Sequence, residues 1–268
     1  MTRTPTLRDE AWRYSSAKAI ARLTFPPERQ TLAVSSEQTL VEVVSSGTNG
    51  HLITIAEGAR LNHVRIFPSD LSSPAYATAK VEVAANGYYS SHVLNLAGEY
   101  VRNEIEVDLV GAGAHADLQG VYMISDKAHC DTMTKIHHAV ADTTSDEVYK
   151  GVLKGTSRGV FQAQIRVAPD AQRIVGNQMH RALMLSDDSR VDTKPELEIF
   201  ANDVQCSHGS TISDLDEQQL FYLRSRGLPE ANARALLIRA FLAEFLDGAP
   251  TALEGVFEEG VEAYLRGL

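Results

Sequence analysis

The segment Asp203-Val204-Gln205-Cys206-Ser207-His208-Gly209-Ser210-Thr211 places a thiol and an imidazole two residues apart. On a β-strand residues i and i+2 share a face, so Cys206 and His208 would stand side by side. A thiolate beside an imidazole makes a soft metal site or an activated thiol. Two ligands do not complete an iron or zinc site, so the others must come from elsewhere in the chain or from another chain. Taken alone, Cys-x-His reads more simply as a buried structural cysteine near a turn histidine.

Two other groups invite chemistry. His129-Cys130 with His137-His138 offers four ligand-type residues for zinc. Their spacing fits no standard finger, and neighbours such as His129 and Cys130 would face opposite sides of a strand. The simpler expectation is turn and surface histidines in a loop linking strands. Asp187-Asp188 could mimic the paired acids of a β-helical carbohydrate-active enzyme, but Leu185-Ser186-Asp187-Asp188-Ser189 is turn chemistry. Such an enzyme also needs aromatic platforms, and the single tryptophan, Trp12, lies in the entry segment. No G-x-S-x-G elbow supports a serine hydrolase.

The elements that must position these residues fall into three zones: 1–29, 30–213 and 214–268. In the first, Leu7, Ala11, Tyr14, Ala17 and Ala21 lie at helical spacing, predicting a short helix from Thr6 to Leu23 stopped by Pro26-Pro27. The second is a succession of short β-rich runs, among them 40–44, 51–55, 64–67, 81–83, 104–109, 121–124 and 160–167. Several alternate polar with apolar, the period of a half-buried strand. Further short runs at 173–175, 182–185, 196–200 and 204–206, with short turns between them, favour a β-solenoid over a sandwich or barrel. No helix interrupts this zone, which excludes a doubly wound α/β fold. In the third zone Asp214 and Glu217 have capping-box spacing, and Gly227 and Pro229 separate two helices. The helix from Pro229 to Asp247 is apolar on more than one face, so it should bury one side on its own domain and another elsewhere. A last helix carries Leu253, Val256, Phe257, Val261, Tyr264 and Leu265 on one stripe.

Composition narrows the classes. The 268 residues carry 25 basic and 35 acidic side chains, a formal charge of −10, which argues against nucleic acid and anionic membranes as partners. No apolar run approaches the roughly 20 residues of a membrane span, and the opening residues lack a signal-peptide core. The two cysteines, Cys130 and Cys206, therefore read as reduced thiols of a cytoplasmic protein. Neither G-x-x-x-x-G-K-[ST] nor G-x-G-x-x-G occurs. Any ATP hydrolysis would belong to a partner.

The run Lys194-Pro195-Glu196-Leu197-Glu198-Ile199, the Cys206-Ser207-His208-Gly209-Ser210-Thr211 segment and Phe221-Tyr222-Leu223-Arg224-Ser225-Arg226-Gly227 together resemble the SufD branch of the SufB/SufD family of iron–sulfur cluster assembly scaffold proteins. Tyr149-Lys150-Gly151 and Leu183-Met184-Leu185-Ser186 support the likeness, and Asp9-Glu10-Ala11-Trp12-Arg13-Tyr14 resembles the family's N-terminal helix. The chain departs from the family pattern at Ala141-Asp142 and Ile174-Val175. The resemblance implies a right-handed parallel β-helix core with a short N-terminal helix and a C-terminal helical region. It implies a non-catalytic scaffold in complex with SufB and with SufC, the ABC-type ATPase. SufC would dock on the C-terminal helices, for which Leu236, Leu237, Phe241 and Phe245 are the candidate side chains. A nascent iron–sulfur cluster would form at the junction with SufB, with no cofactor held stably by this chain. His208 would be the ligand on this side, transiently shared with SufB, and Cys206 its neighbour. An unpaired strand edge further implies self-association as a homodimer in isolation.

Overall fold

A computed structural model describes residues 4–25, 27–96 and 98–266. Pro26, expected to help stop the first helix, and Leu268, the end of the third zone, lie outside the described residues. Strands alternate between two parallel sheets. One contains β1 (Gln30–Val34), β3 (Gly47–Ile55), β5 (Ala75–Val83), β7 (Tyr100–Leu109), β9 (His129–His138), β11 (Arg158–Val167) and β13 (Arg190–Ile199). The other contains β2 (Glu37–Val43), β4 (Arg60–Phe67), β6 (Tyr88–Asn95), β8 (His115–Ile124), β10 (Thr144–Leu153), β12 (Ile174–Met184) and β14 (Val204–Ser213). The chain thus winds as a β-solenoid, one strand of each sheet per turn, confirming the parallel β-helix expectation.

The repeat is faint in sequence because turn length drifts. Stacked partners are 21 residues apart at Gln30 and His51, 29 at Arg102 and Asp131, and 32 at Val160 and Asp192. Inward residues stack in columns, such as Ile53, Val81, Val107, Ile136 and Ile165 in the first sheet. Corners are turned by residues with left-handed φ, including Asn86, Asp126, Asp142 and Arg173. The departure at Ala141-Asp142 falls on such a corner, where Asp142 accepts from Arg173 Nε at 2.6 Å in the next turn. Two tyrosines fill the lumen by lying against glycines. Tyr122 sits in register with Gly151 and Tyr149 with Gly120, and a Cβ at either glycine would fall about 2 Å from the facing ring.

Several expectations are corrected. The N-terminal zone is not one helix but a 3-10 turn at Glu10–Trp12 and a single turn, α1 (Ala17–Ile20). The Ala11 carbonyl accepts from Arg102 Nη2 at 2.8 Å and Gln162 Nε2 at 3.2 Å on the outer face of the first sheet, in place of a helical partner. The runs at 173–175 and 182–185 are the two ends of one strand, β12, held in register along its length by β10. The 129–138 region is not a loop but strand β9.

The C-terminal helices α2 (Glu217–Ser225), α3 (Glu230–Ala243) and α4 (Thr251–Leu265) follow. The cap of α2 is Asp216, not Asp214. Its Oδ1 accepts from the backbone N–H groups of Gln218 and Gln219, at 2.8 and 3.0 Å, whereas Asp214 accepts from Leu215 N–H. Ile238, Leu242, Leu253, Phe257 and Val261 pack on Val64, Leu94, Val121 and Val152 of the second sheet's outer face. Lys150 of β10 donates to the Phe241 carbonyl at 2.7 Å and to Glu244 at 2.5 Å, a cation at the carbonyl end of α3, where the helix dipole favours it.

Candidate functional site at the open end of the solenoid

β14 pairs with β12 on one side only, and β13 with β11 on one side only. The last turn therefore ends in two ten-residue edges. Parallel, in-register pairing carries the facing of each residue from one strand to the next. Gly176, Gln178 and His180 of β12 are buried toward the lumen. Their partners Cys206, His208 and Ser210 consequently face the same way, at the mouth. Cys206 is half-buried and His208 exposed. Burial pushes the Cys206 thiol up, opposed by a hydrogen bond from the Gly176 backbone. In this open form Cys206 is therefore a thiol that must lose its proton before binding a metal.

Beneath the edge the lumen is polar. His180 Nδ1 lies 3.4 Å from Ser210 Oγ and its Nε2 2.9 Å from the Tyr122 hydroxyl. Burial pushes His180 down to about 4, so it is neutral near pH 7. Gln178 donates from Nε2 to Glu147 Oε2 at 3.1 Å. Burial pushes the Glu147 carboxyl up to about 7. None of Glu147, Gln178 and His180 stood out in the sequence. Only the register aligns them with β14, and no local motif encodes that.

The four residues considered for zinc do not converge. Cys130 faces the lumen, where Asn95 Nδ2 donates to its sulfur at 3.1 Å, and burial raises it to about 12. His129 packs edge-on against Tyr100. His137 lies 3.3 Å from Asp108. His138 is buried between Thr143 and Ser145, at 2.8 and 3.0 Å. Among the described residues no group of three His, Cys, Asp or Glu side chains is arranged to hold a metal. Asp187 and Asp188 lie in the exposed turn after β12, as turn chemistry suggested.

The four apolar side chains of the α3 region divide. Phe245 is 2% exposed and packs on Phe257 and His92, so it belongs to the core. Leu237 and Phe241 are half-buried, and Leu236 is 47% exposed. Leu236, Leu237 and Ala240 of α3 line a shallow apolar groove of about 460 Å³ with Gln219, Tyr222 and Leu223 of α2. No residue of α2 is buried.

Comparison with known proteins agrees with this architecture. A family model described as "SUF system FeS cluster assembly, SufBD core domain" matches residues 31–241. The iron–sulfur cluster assembly protein SufD of Escherichia coli is 32% identical over 223 residues, covering 81% of this chain and 53% of that protein. A SufBD family protein of Synechocystis is 32% identical over 200 residues, covering 75% and 44%. One from Mycobacterium tuberculosis is 36% identical over 159 residues, covering 56% and 40%. The chain thus spans about half the length of the curated relatives it matches. Among the described residues no helix is long and apolar enough to cross a membrane. With its solenoid, its open last turn and a family match running from β1 into α3, the chain belongs to the SufBD family of iron–sulfur cluster assembly proteins.

Proposed function

We propose that this chain is a non-catalytic scaffold subunit of an iron–sulfur cluster assembly complex. It contributes Cys206 and His208 to a site that a SufB-type partner completes. The observation that carries this reading is the placement of both side chains on one face of β14, an edge strand with an unpaired flank. A partner strand added to that flank would supply backbone hydrogen bonds, and its own ligands would join the pair. The nascent cluster is cargo at this junction. Covering the edge excludes water from the ligands, and opening it admits iron and sulfide.

The apolar groove between α2 and α3 is the docking surface for a SufC-type ATPase. Leu236, with Leu237 and Ala240 beside it, is the contact. ATP hydrolysis belongs to that partner. In isolation the free edge pairs with a second copy of the chain, and sedimentation as a monomer at all micromolar concentrations would refute that.

The test is co-purification of a tagged chain with the host's SufB and SufC. Wild type should bring down both subunits and yield cluster, while His208→Ala should bring down both and yield none. Full cluster yield from His208→Ala would overturn the assignment of the site.

A further inference from the structure

The middle of β14's lumen-facing row is in register with β12 residue by residue: Cys206 with Gly176, His208 with Gln178, and Ser210 with His180. Of these pairs, that of Ser210 is joined side chain to side chain, through His180 Nδ1 to Ser210 Oγ. The middle pair is not. Gln178 is 2% exposed, and its Oε1 is buried without a hydrogen-bond partner. Buried amide oxygens are nearly always satisfied, because leaving one unpaired costs its full desolvation. The amide nitrogen, Nε2, donates to Glu147 Oε2 in the turn below, which leaves Oε1 on the other side of the amide. The amide is thus anchored by its nitrogen on one side, and the lumen-facing residue of the next strand is His208.

We propose that Gln178 is a positioning residue for His208: Gln178 Oε1 accepts the ring N–H of His208 when the other ring nitrogen serves as a ligand at the shared edge. The proposal rests on the reading of β14 as the cluster-assembly edge. An imidazole ligand commonly gives its second N–H to a fixed acceptor, which sets both its tautomer and its ring orientation. Here the acceptor is a neutral amide, held in place by Glu147 from the far side. Gly176 leaves room beside it for the Cys206 sulfur, which would lie 3.5 Å from a Cβ at that position.

The experiment uses the tagged chain purified with its partner subunits, reading subunit recovery, iron and acid-labile sulfide per complex, and the absorption spectrum of the bound cluster. Gln178→Leu should recover the same subunits but lower cluster yield about tenfold, the usual scale for losing an outer partner of a ligating histidine. The exchanged pair Glu147→Gln/Gln178→Glu keeps an acceptor oxygen at 178 and the hydrogen bond beneath it, and should restore yield to within about twofold of wild type. In a His208→Cys chain, whose ligand has no ring N–H to place, Gln178→Leu should cause no further loss and no further spectral change. Wild-type yield from Gln178→Leu, an equal loss in the His208→Cys background, or no rescue by the exchanged pair would each overturn the proposal. If His208→Ala retains full yield, the reading of the edge itself falls. If His208→Ala abolishes cluster and Gln178→Leu does not lower it, only the role of Gln178 falls.

Discussion

Arg102 and Asp131 are stacked neighbours on the outer face of the first sheet, and their side chains meet at 2.6 Å with both fully buried. The N-terminal segment covers them. The Trp12 ring lies 4.0 Å from the guanidinium carbon, and Ser15 donates to the same carboxylate. Glu104 is the second acid on Arg102.

Breaking that pair leaves the buried Arg102 cation with Glu104 alone to balance it. Asp131→Asn should therefore cost about 3–5 kcal/mol, the range for removing one partner of a buried ion pair. Urea denaturation measures it. A loss below about 1 kcal/mol, typical of an exposed pair, would show that water reaches Arg102 despite the segment above it.

Glu147 predicts a pH dependence opposite in sign to that of an ordinary carboxylate. Burial pushes its folded value up to about 7, from 4.5. The protonated side chain favours the fold fully below about pH 4.5, and the contribution is lost as pH rises through about 7. Glu147→Gln stays neutral throughout. Its stability relative to wild type should rise by about 3 kcal/mol between pH 4.5 and pH 8 and level off above. The histidines at 63, 129, 138 and 180, each pushed down to about 4 by burial, destabilise both proteins together as pH falls below about 6.5. The difference between paired denaturation curves isolates Glu147, and a difference that stays constant with pH would count against its burial as a neutral acid.

The α3 side chains should separate docking from folding. Leu236→Glu, at an exposed position, should change stability by about 0.5 kcal/mol or less while reducing recovery of the ATPase subunit. Phe245→Ala should cost about 3–5 kcal/mol through the cavity it leaves. Thermal unfolding and co-purification of the two variants give both readouts. A Leu236→Glu chain that still recovers the ATPase in full would move the docking surface elsewhere.

Two glycine substitutions test the lumen packing. At Gly151 a new Cβ would lie 2.1 Å from Tyr122 Cζ, so Gly151→Ala should destabilise by about 1–3 kcal/mol or more. At Gly176 its contacts begin at 3.4 Å, ordinary van der Waals range, so Gly176→Ala should fold normally. Equal stability of the two variants would show that the tyrosine has room to move aside.

The solenoid was legible where strands alternate cleanly, as in β7, whose Glu104, Glu106 and Asp108 face outward between buried Ile105, Val107 and Leu109. It was not legible in β9, because Cys130, Thr132, Thr134 and His138 put polar groups on the buried face and hide the period of two. β12 was split in two for the same reason, since Gly176-Asn177-Gln178 reads as a turn until its neighbours pull it into register. The pairing of Cys206 with His208 on one strand face could be read from spacing alone. That their strand is an edge, and that Gln178 stands beneath His208, depends on the order of stacking, which spacing does not carry.

Only Asp214, Leu215 and Asp216 separate the last residue of β14 from the first of α2, and Leu215 is buried against the helical layer. A load applied to α2 therefore enters the β12–β14 ladder at its Leu183–Ser213 end. A ladder loaded at one end opens like a zipper, one rung at a time, whereas a ladder loaded along its length must break all rungs together. The order of release along the strand is then fixed by chain direction: Ser210 parts from His180 first, His208 from Gln178 next, and Cys206 from Gly176 last.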